Sequence, residues 1–398
     1  MMTVISSVML AAMAATGPSG VAFYIPPNPL PAGTHGDVIW ARPLTTGAAL
    51  PSAASNTLVL YHTTSLSGAD VAVSGTISVP KGTPPKGGWP VISWAHGTTG
   101  DAPKCTPSLD SPSGPEHRYL GQVEPALDQA VARGYAVVQT DYEGQGTPGP
   151  TPYLIGVAEA RDAIDIVRAA RQIVPQLSTS WVVMGHSQGG QTVLFTSATA
   201  AQWAPELHLI GAVAEAPAAF ISVFIGGFPK QTTPTAAYAF AALFMDAAAA
   251  FDPSVKLDQL LTPAALAMVP QLHDQCVDEL ATNPTGWGSI VPASSFRTDA
   301  VLAPLLKFAA TNDAGGLHPT VPIMLAQGSA DTIVPKASSD AIAGILCGNG
   351  ATIHYNVYQG IEHEPLVMRA SDDALTWVGA RFAGQPAPTN CGGAPTLH

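Results

Sequence analysis

Charge is scarce in this sequence. Only 11% of its 398 residues are Asp, Glu, Lys or Arg, against roughly 25% in an average globular domain. The net charge of −12 is spread thinly, with no run of either sign. Without a Lys/Arg cluster there is no electrostatic footprint for nucleic acid, which excludes that class of partner. Cysteine is sparse too: Cys105, Cys276, Cys347 and Cys391, in no CxxC arrangement. Zinc sites want closer ligand spacing than this, and no H-E-x-x-H occurs. Neither metal nor other cofactor is expected. Beyond the N-terminus no segment runs for the ~18 uninterrupted apolar residues of a membrane span, so no stable membrane anchor is expected.

What the chain does have is apolar surface to bury, with 46% hydrophobic residues, and punctuation, with Gly 38 and Pro 37. That supports a large core built from short elements joined by many turns. Residues 1–22 read as a secretory signal peptide. Val4–Ala15 is a short apolar stretch followed by small residues, with cleavage near Ala15 or Ala22. No Lys or Arg precedes it. An exported chain with four cysteines is expected to form disulfides, and three pairings are open at this point.

Phe23 to about Leu50 is rich in Pro and Gly and is expected to wrap the surface. Strand-like alternation follows in Thr57–Thr63 and Val71–Val79. Then short apolar runs alternate with helical segments. Val91–Ala95 leads through a loop to a helix around Val123–Arg133, and Tyr135–Thr140 to a helix around Val157–Ile173. Trp181–Met184 leads to a helix from Gly189 to Ala201, and Leu209–Ala214 closes this half. Continuous apolar runs alternating with helices describe a mostly parallel sheet covered on both faces. From Ala216 to Pro319 the chain is Ala-rich and helix-leaning. Strand patterning resumes at Val321–Ala326 and Ile353–Tyr358, with helices at Lys336–Leu346 and Pro365–Phe382, and the tail from Ala383 is loop. One α/β domain, residues 23–215 and 320–398, therefore carries a helical insertion, residues 216–319.

Gly185-His186-Ser187-Gln188-Gly189 follows the run Trp181–Met184 and precedes a helix. A G-x-S-x-G in that context places a serine on a tight strand-to-helix turn, where only glycine lets the flanking backbone come close. Ser187 is the candidate nucleophile, and the N–H of Gln188 a candidate oxyanion donor. A serine hydroxyl needs a base, and the base an orienting acid. In this arrangement the chain order is Ser, acid, His. Asp331 lies just past Val321–Ala326 and His363 just past Ile353–Tyr358. Both sit at the carboxyl ends of parallel strands, where open α/β sheets build their sites. Glu215, Asp340 and Asp313 are rival acids; His318, His354 and His273 are rival bases. His186 is expected to point away from the base and to be structural. The loop His96-Gly97-Thr98-Thr99-Gly100 follows the first parallel strand and is expected to give the second oxyanion donor, Thr98 first and Gly97 next.

These residues resemble the secretory lipase family of α/β-hydrolases. The likeness rests on Ala95–Gly100 followed by Cys105-Thr106-Pro107-Ser108, on Gly134–Val138, Asp141–Gly144, Gly185–Gly190 and Ala204-Pro205-Glu206-Leu207. The His-Gly-Thr-Thr-Gly form is similar to the family's bacterial branch. The resemblance implies an α/β-hydrolase fold and a triad of Ser187, Asp331 and His363. It makes the insertion a helical lid over an acyl-binding tunnel, and implies disulfides Cys105–Cys276 and Cys347–Cys391. It also implies a secreted carboxylic-ester hydrolase, acting on small-molecule or lipid esters with at most transient contact to a lipid interface. Two other readings compete: a peptidase or amidase, for which a clamp on peptide termini is missing, and a non-catalytic binding protein, which should have lost a triad member.

Overall fold

Apolar, β-branched runs too short for helices pair side by side in the centre of the molecule. The computed structural model describes residues 15–398. Its strands are β1 (Val38–Pro43), β2 (Ala53–Thr64), β3 (Asp70–Pro80), β4 (Trp89–Ala95), β5 (Ala136–Thr140), β6 (Leu177–His186), β7 (His208–Glu215), β8 (Ile323–Gly328), β9 (Ile353–Tyr358) and β10 (Thr396–Leu397). They form one sheet in the order β1-β2-β3-β5-β4-β6-β7-β8-β9-β10. Pairing is antiparallel from β1 to β5 and parallel from there to β10. Strands β4 and β5 and the carboxyl-terminal halves of β6 and β7 are almost wholly buried because helices cover both faces. Those helices include α1 (His117–Ala132), α2 (Gly156–Ile173) and α3 (Gln188–Trp203), with Leu366–Phe382 beside α1. The α/β-hydrolase reading of the sheet holds.

Register matters more than strand count for the site. Ala95 of β4 lies opposite Gly185 of β6, and His186 opposite Glu215 of β7. The carboxyl ends of the three central strands therefore finish at one level, where the chain leaves for α3 and for the insertion.

Among the described residues 216–319 hold only helices, turns and one isolated bridge, Leu261 to Phe296. The longest helix, α5 (Ala237–Phe251), follows α4 (Ile221–Gly227) and buries Tyr238, Leu243, Phe244 and Met245. This segment has its own apolar cluster, which also takes in Tyr153, Leu154 and Ile155 from the loop before α2. The insertion thus packs on the core through that loop. It is tied covalently as well, by Cys105–Cys276; Cys347–Cys391 fastens the tail. Both pairings are those the family resemblance implied.

Two expectations need correction. The stretch from Phe23 to Leu50 is not all surface wrap, since it contains β1; Val38–Arg42 are only half-buried, so no alternation announces the strand. The tail contains β10, two exposed residues held by β9 on one side. Residues 1–14 of the expected leader lie outside the described residues. Its remainder packs on β1: Ala41 N–H donates to the Ala15 carbonyl at 2.9 Å, and Arg42 to the Pro18 carbonyl at 2.6 Å.

Candidate active site

The turn between β6 and α3 holds Ser187 at φ 59°, a left-handed conformation that costs a non-glycine residue free energy. Neighbouring backbone leaves no alternative. A Cβ on Gly189 would sit 1.8 Å from the Ala95 carbonyl oxygen, and one on Gly185 2.6 Å from the same atom. The serine is locked from both sides: its N–H donates to the Glu215 carbonyl at 2.9 Å, and its own carbonyl accepts from Gln191 and Ala218. Gln188 is the first residue of α3, so its N–H has no partner within the helix. Its side chain is tied down by the buried Glu159, which accepts from Gln188 Nε2 at 2.7 Å and from Thr192 at 2.6 Å. Burial pushes the Glu159 carboxyl up to about 7.

Asp331 and His363 meet beyond the ends of β8 and β9. His363 Nδ1 lies 2.7 Å from Asp331 Oδ2. The same Asp331 oxygen accepts from Gln327 Nε2 at 3.0 Å, and its other oxygen accepts the N–H groups of Ile333 and Val334 at 2.9 Å each. Four donors hold a buried carboxylate that points one way. With Nδ1 engaged, only the Nε2 edge of His363 is free, and His363 and Ser187 line the same cavity of about 190 Å³. A second cavity of about 110 Å³ also borders the serine. Thr98, Ser187, Phe240 and Ile333 form the wall common to both. The smaller one is apolar, lined by Phe220, Ile221, Phe224 and Ala237; the larger is bordered by Glu116, Arg118, Asp278 and Glu364.

The loop expected to supply the second oxyanion donor follows β4, and its two candidate N–H groups are not equivalent. Gly97 N–H donates to the Tyr119 hydroxyl at 2.9 Å. It is therefore already engaged, so Thr98 is the better placed of the two candidates. The Thr98 side chain is fixed by Tyr153, hydroxyl to hydroxyl at 2.8 Å. Behind them, Gln145 Nε2 donates to the Gly100 carbonyl, and Val277 N–H from the insertion donates to the Thr99 carbonyl.

The sequence and the fold both have known relatives. A family model described as "Secretory lipase" matches residues 122–390. The chain belongs to the secretory lipase family. Among curated relatives, lipase A of Moesziomyces aphidis is 24% identical over 93% of this chain and 81% of that protein. A protein of Mycobacterium tuberculosis named as a probable inactive lipase is 24% identical over 93% of this chain and 83% of its own length. The fold matches that of Candida antarctica lipase A in its closed state, with a TM-score of 0.76 at 19% identity over 92% of this chain and 86% of that one. It also matches the rice cell wall degrading esterase LipA of Xanthomonas oryzae, with a TM-score of 0.72 at 21% identity over 88% and 100% of the two chains.

In this member of the family the rival acids and bases are placed elsewhere. Asp340 pairs with Lys336, Asp313 with Ser222 and Asp246 with His273. His318 is exposed, and His354 belongs to β9. Glu215 is fully buried with one oxygen unpartnered, and burial alone pushes its carboxyl well above the usual range. His186 does not turn away from the base. Its ring lies 4.4 Å from that of His363, and its Nε2 donates to the His363 carbonyl at 3.1 Å. Burial and the neighbouring His363 push it well below its ordinary value, so it stays neutral. Tyr119, Gln327 and Glu159 carried no local sequence signal. Tyr119 and Glu159 act through contacts 22 and 29 residues away, which no short motif reports, and Gln327 through Asp331 four residues on, across a strand end.

Proposed function

We propose that the chain is a secreted carboxylic-ester hydrolase working through an acyl-enzyme on Ser187. The observation that carries this reading is His363, held at 2.7 Å by Asp331 and sharing one cavity with the positive-φ Ser187. His363 takes the serine proton on Nε2 as the hydroxyl attacks the ester carbonyl. Asp331 keeps the hydrogen of the imidazole on Nδ1 and stabilises the imidazolium that forms. The N–H groups of Gln188 and Thr98 receive the developing oxyanion, each worth roughly 3 kcal/mol in the transition state. His363 then returns the proton to the leaving alcohol, and water activated by the same base releases the acid. Serine, acid and base are all present, which favours the catalytic reading over that of a binding protein.

The apolar cavity lined by Phe220, Ile221 and Phe224 is suited to the acyl chain, and the more polar one to the alcohol. Residues 216–319 would act as a lid, since Phe240 of α5 stands between the two cavities. Export fits two disulfides, and cleavage at Ala15 preserves the contacts of Pro18 and its neighbours with β1 where cleavage at Ala22 would remove them. Among the described residues no helix is long and apolar enough to cross a membrane.

The test is hydrolysis of p-nitrophenyl esters from acetate to palmitate by the wild type, Ser187→Ala and Asp331→Asn. The reading expects turnover by the wild type only, with Asp331→Asn reduced about 10⁴-fold in kcat. Equal inactivity of all three on every ester would favour the amidase or binding-protein alternatives.

A further inference from the structure

A group of side chains outside the ester site is incomplete as it stands. We propose that Asp110, His117 and Glu124 bind one first-row divalent cation of the zinc type. His117 and Glu124 are seven residues apart on α1, two turns, so they share a face of the helix. Asp110 comes from the turn just before it, after the short helix Pro107–Leu109. His117 Nδ1 lies 2.7 Å from Asp110 Oδ2, and one ligand atom from each of the three residues falls within 4.8 Å of the others.

Two observations point to a missing partner. The Asp110 side chain is only 2% exposed, yet its one polar contact is His117, inside the group itself. Its Oδ1 meets no donor and faces Gly114, where a Cβ would stand 2.5 Å away. Glu124 is half-buried and, among the described residues, makes no hydrogen bond; the one basic group it faces is His117, again inside the group. With all three groups ionised, two carboxylates and one imidazolium carry a net negative charge in a largely buried place, which a cation standing in for the protons would relieve.

The donor set selects the ion. One imidazole nitrogen and two carboxylate oxygens match a tetrahedral zinc-type centre with water in the fourth position. Calcium prefers six to eight oxygens and no nitrogen. Zinc bonds of roughly 2.0–2.2 Å require the set to contract, which Glu124 permits because nothing holds it. On binding, the ion takes the place of the proton that Nδ1 and Oδ2 now share, and the imidazole keeps its hydrogen on Nε2. The role is structural. The ion would fix the N-terminal turn of α1, whose next residues are Arg118, bonded to Asp278 and Glu364, and Tyr119, bonded to Gly97.

The experiment is calorimetric titration of the chelator-treated full chain with zinc chloride, paired with thermal scans. Glu124→Gln and His117→Gln serve as variants, and calcium chloride as the comparison ion. One zinc per chain is expected at micromolar affinity or tighter, with a rise in Tm. Each variant should weaken binding at least about tenfold while keeping its fold in the absence of metal. Glu124→Gln is the safer variant, because it removes a charge without changing shape. No saturable binding overturns the proposal, as does wild-type stoichiometry and affinity in both variants, which would place the zinc elsewhere. Calcium binding tighter than zinc with the same residue dependence overturns the assignment of the ion.

Discussion

The Tyr119 hydroxyl lies 2.9 Å from the Gly97 nitrogen and accepts its hydrogen. The same hydroxyl is 3.0 Å from His186 Nδ1, whose ring packs on His363. One buried phenol therefore fixes both the loop that offers Thr98 and the histidine that backs the base. Tyr119→Phe should lower kcat about tenfold or more with little change in KM, since it disturbs positioning rather than substrate contact. Loss of a buried hydrogen bond should also destabilise the fold by about 1–3 kcal/mol. Unchanged kcat in a variant with the expected loss in chemical denaturation would leave Tyr119 as a purely structural residue.

The link Cys105–Cys276 spans 171 residues and joins the loop after β4 to the insertion. Replacing both cysteines by serine should cost about 2–5 kcal/mol, as removal of a native disulfide does in small secreted domains. Cys347–Cys391 spans 44 residues and touches only the tail. Its removal should leave ester chain-length preference unchanged, whereas loss of Cys105–Cys276 should alter it. A chain-length profile of the two double variants checks this.

Glu215 is buried beside the serine turn with one carboxylate oxygen unpartnered, and burial alone raises its carboxyl well above the usual value. The folded state then holds a proton that the unfolded chain releases above about pH 4.3. Stability must fall as pH rises from there through the folded value. Glu215→Gln removes that dependence. Its melting temperature should exceed that of the wild type at pH 8, with the gain vanishing near pH 4. A gain of the same size at both pH values would contradict the assignment.

Much of the site was legible because its chemistry is local. Ser187 announces itself through two glycines and a strand, and Asp331 and His363 follow apolar runs whose ends are sharp; Ile353–Tyr358 has the same limits in sequence pattern and structure. Tyr119 was hidden for a physical reason. Its helix was expected from Val123, but α1 begins at His117. The segment His117–Gln122 is largely polar, contains Gly121 and is followed by Pro125, so propensity argues against the helix that packing imposes. The residue therefore read as loop. His186 was misjudged likewise: the turn geometry is local, while its contact with His363 comes from a strand end 177 residues away.

The central claim is that Ser187 is an activated nucleophile, and covalent trapping reads that directly. The intact protein is incubated with a p-nitrophenyl alkylphosphonate, and its mass is measured beside that of Ser187→Ala. The account predicts a single phosphonyl adduct on the wild-type chain, mapped to the peptide that holds Ser187, with release of one p-nitrophenol and no adduct on the variant. An unmodified wild type, or an adduct that persists in Ser187→Ala, would contradict it.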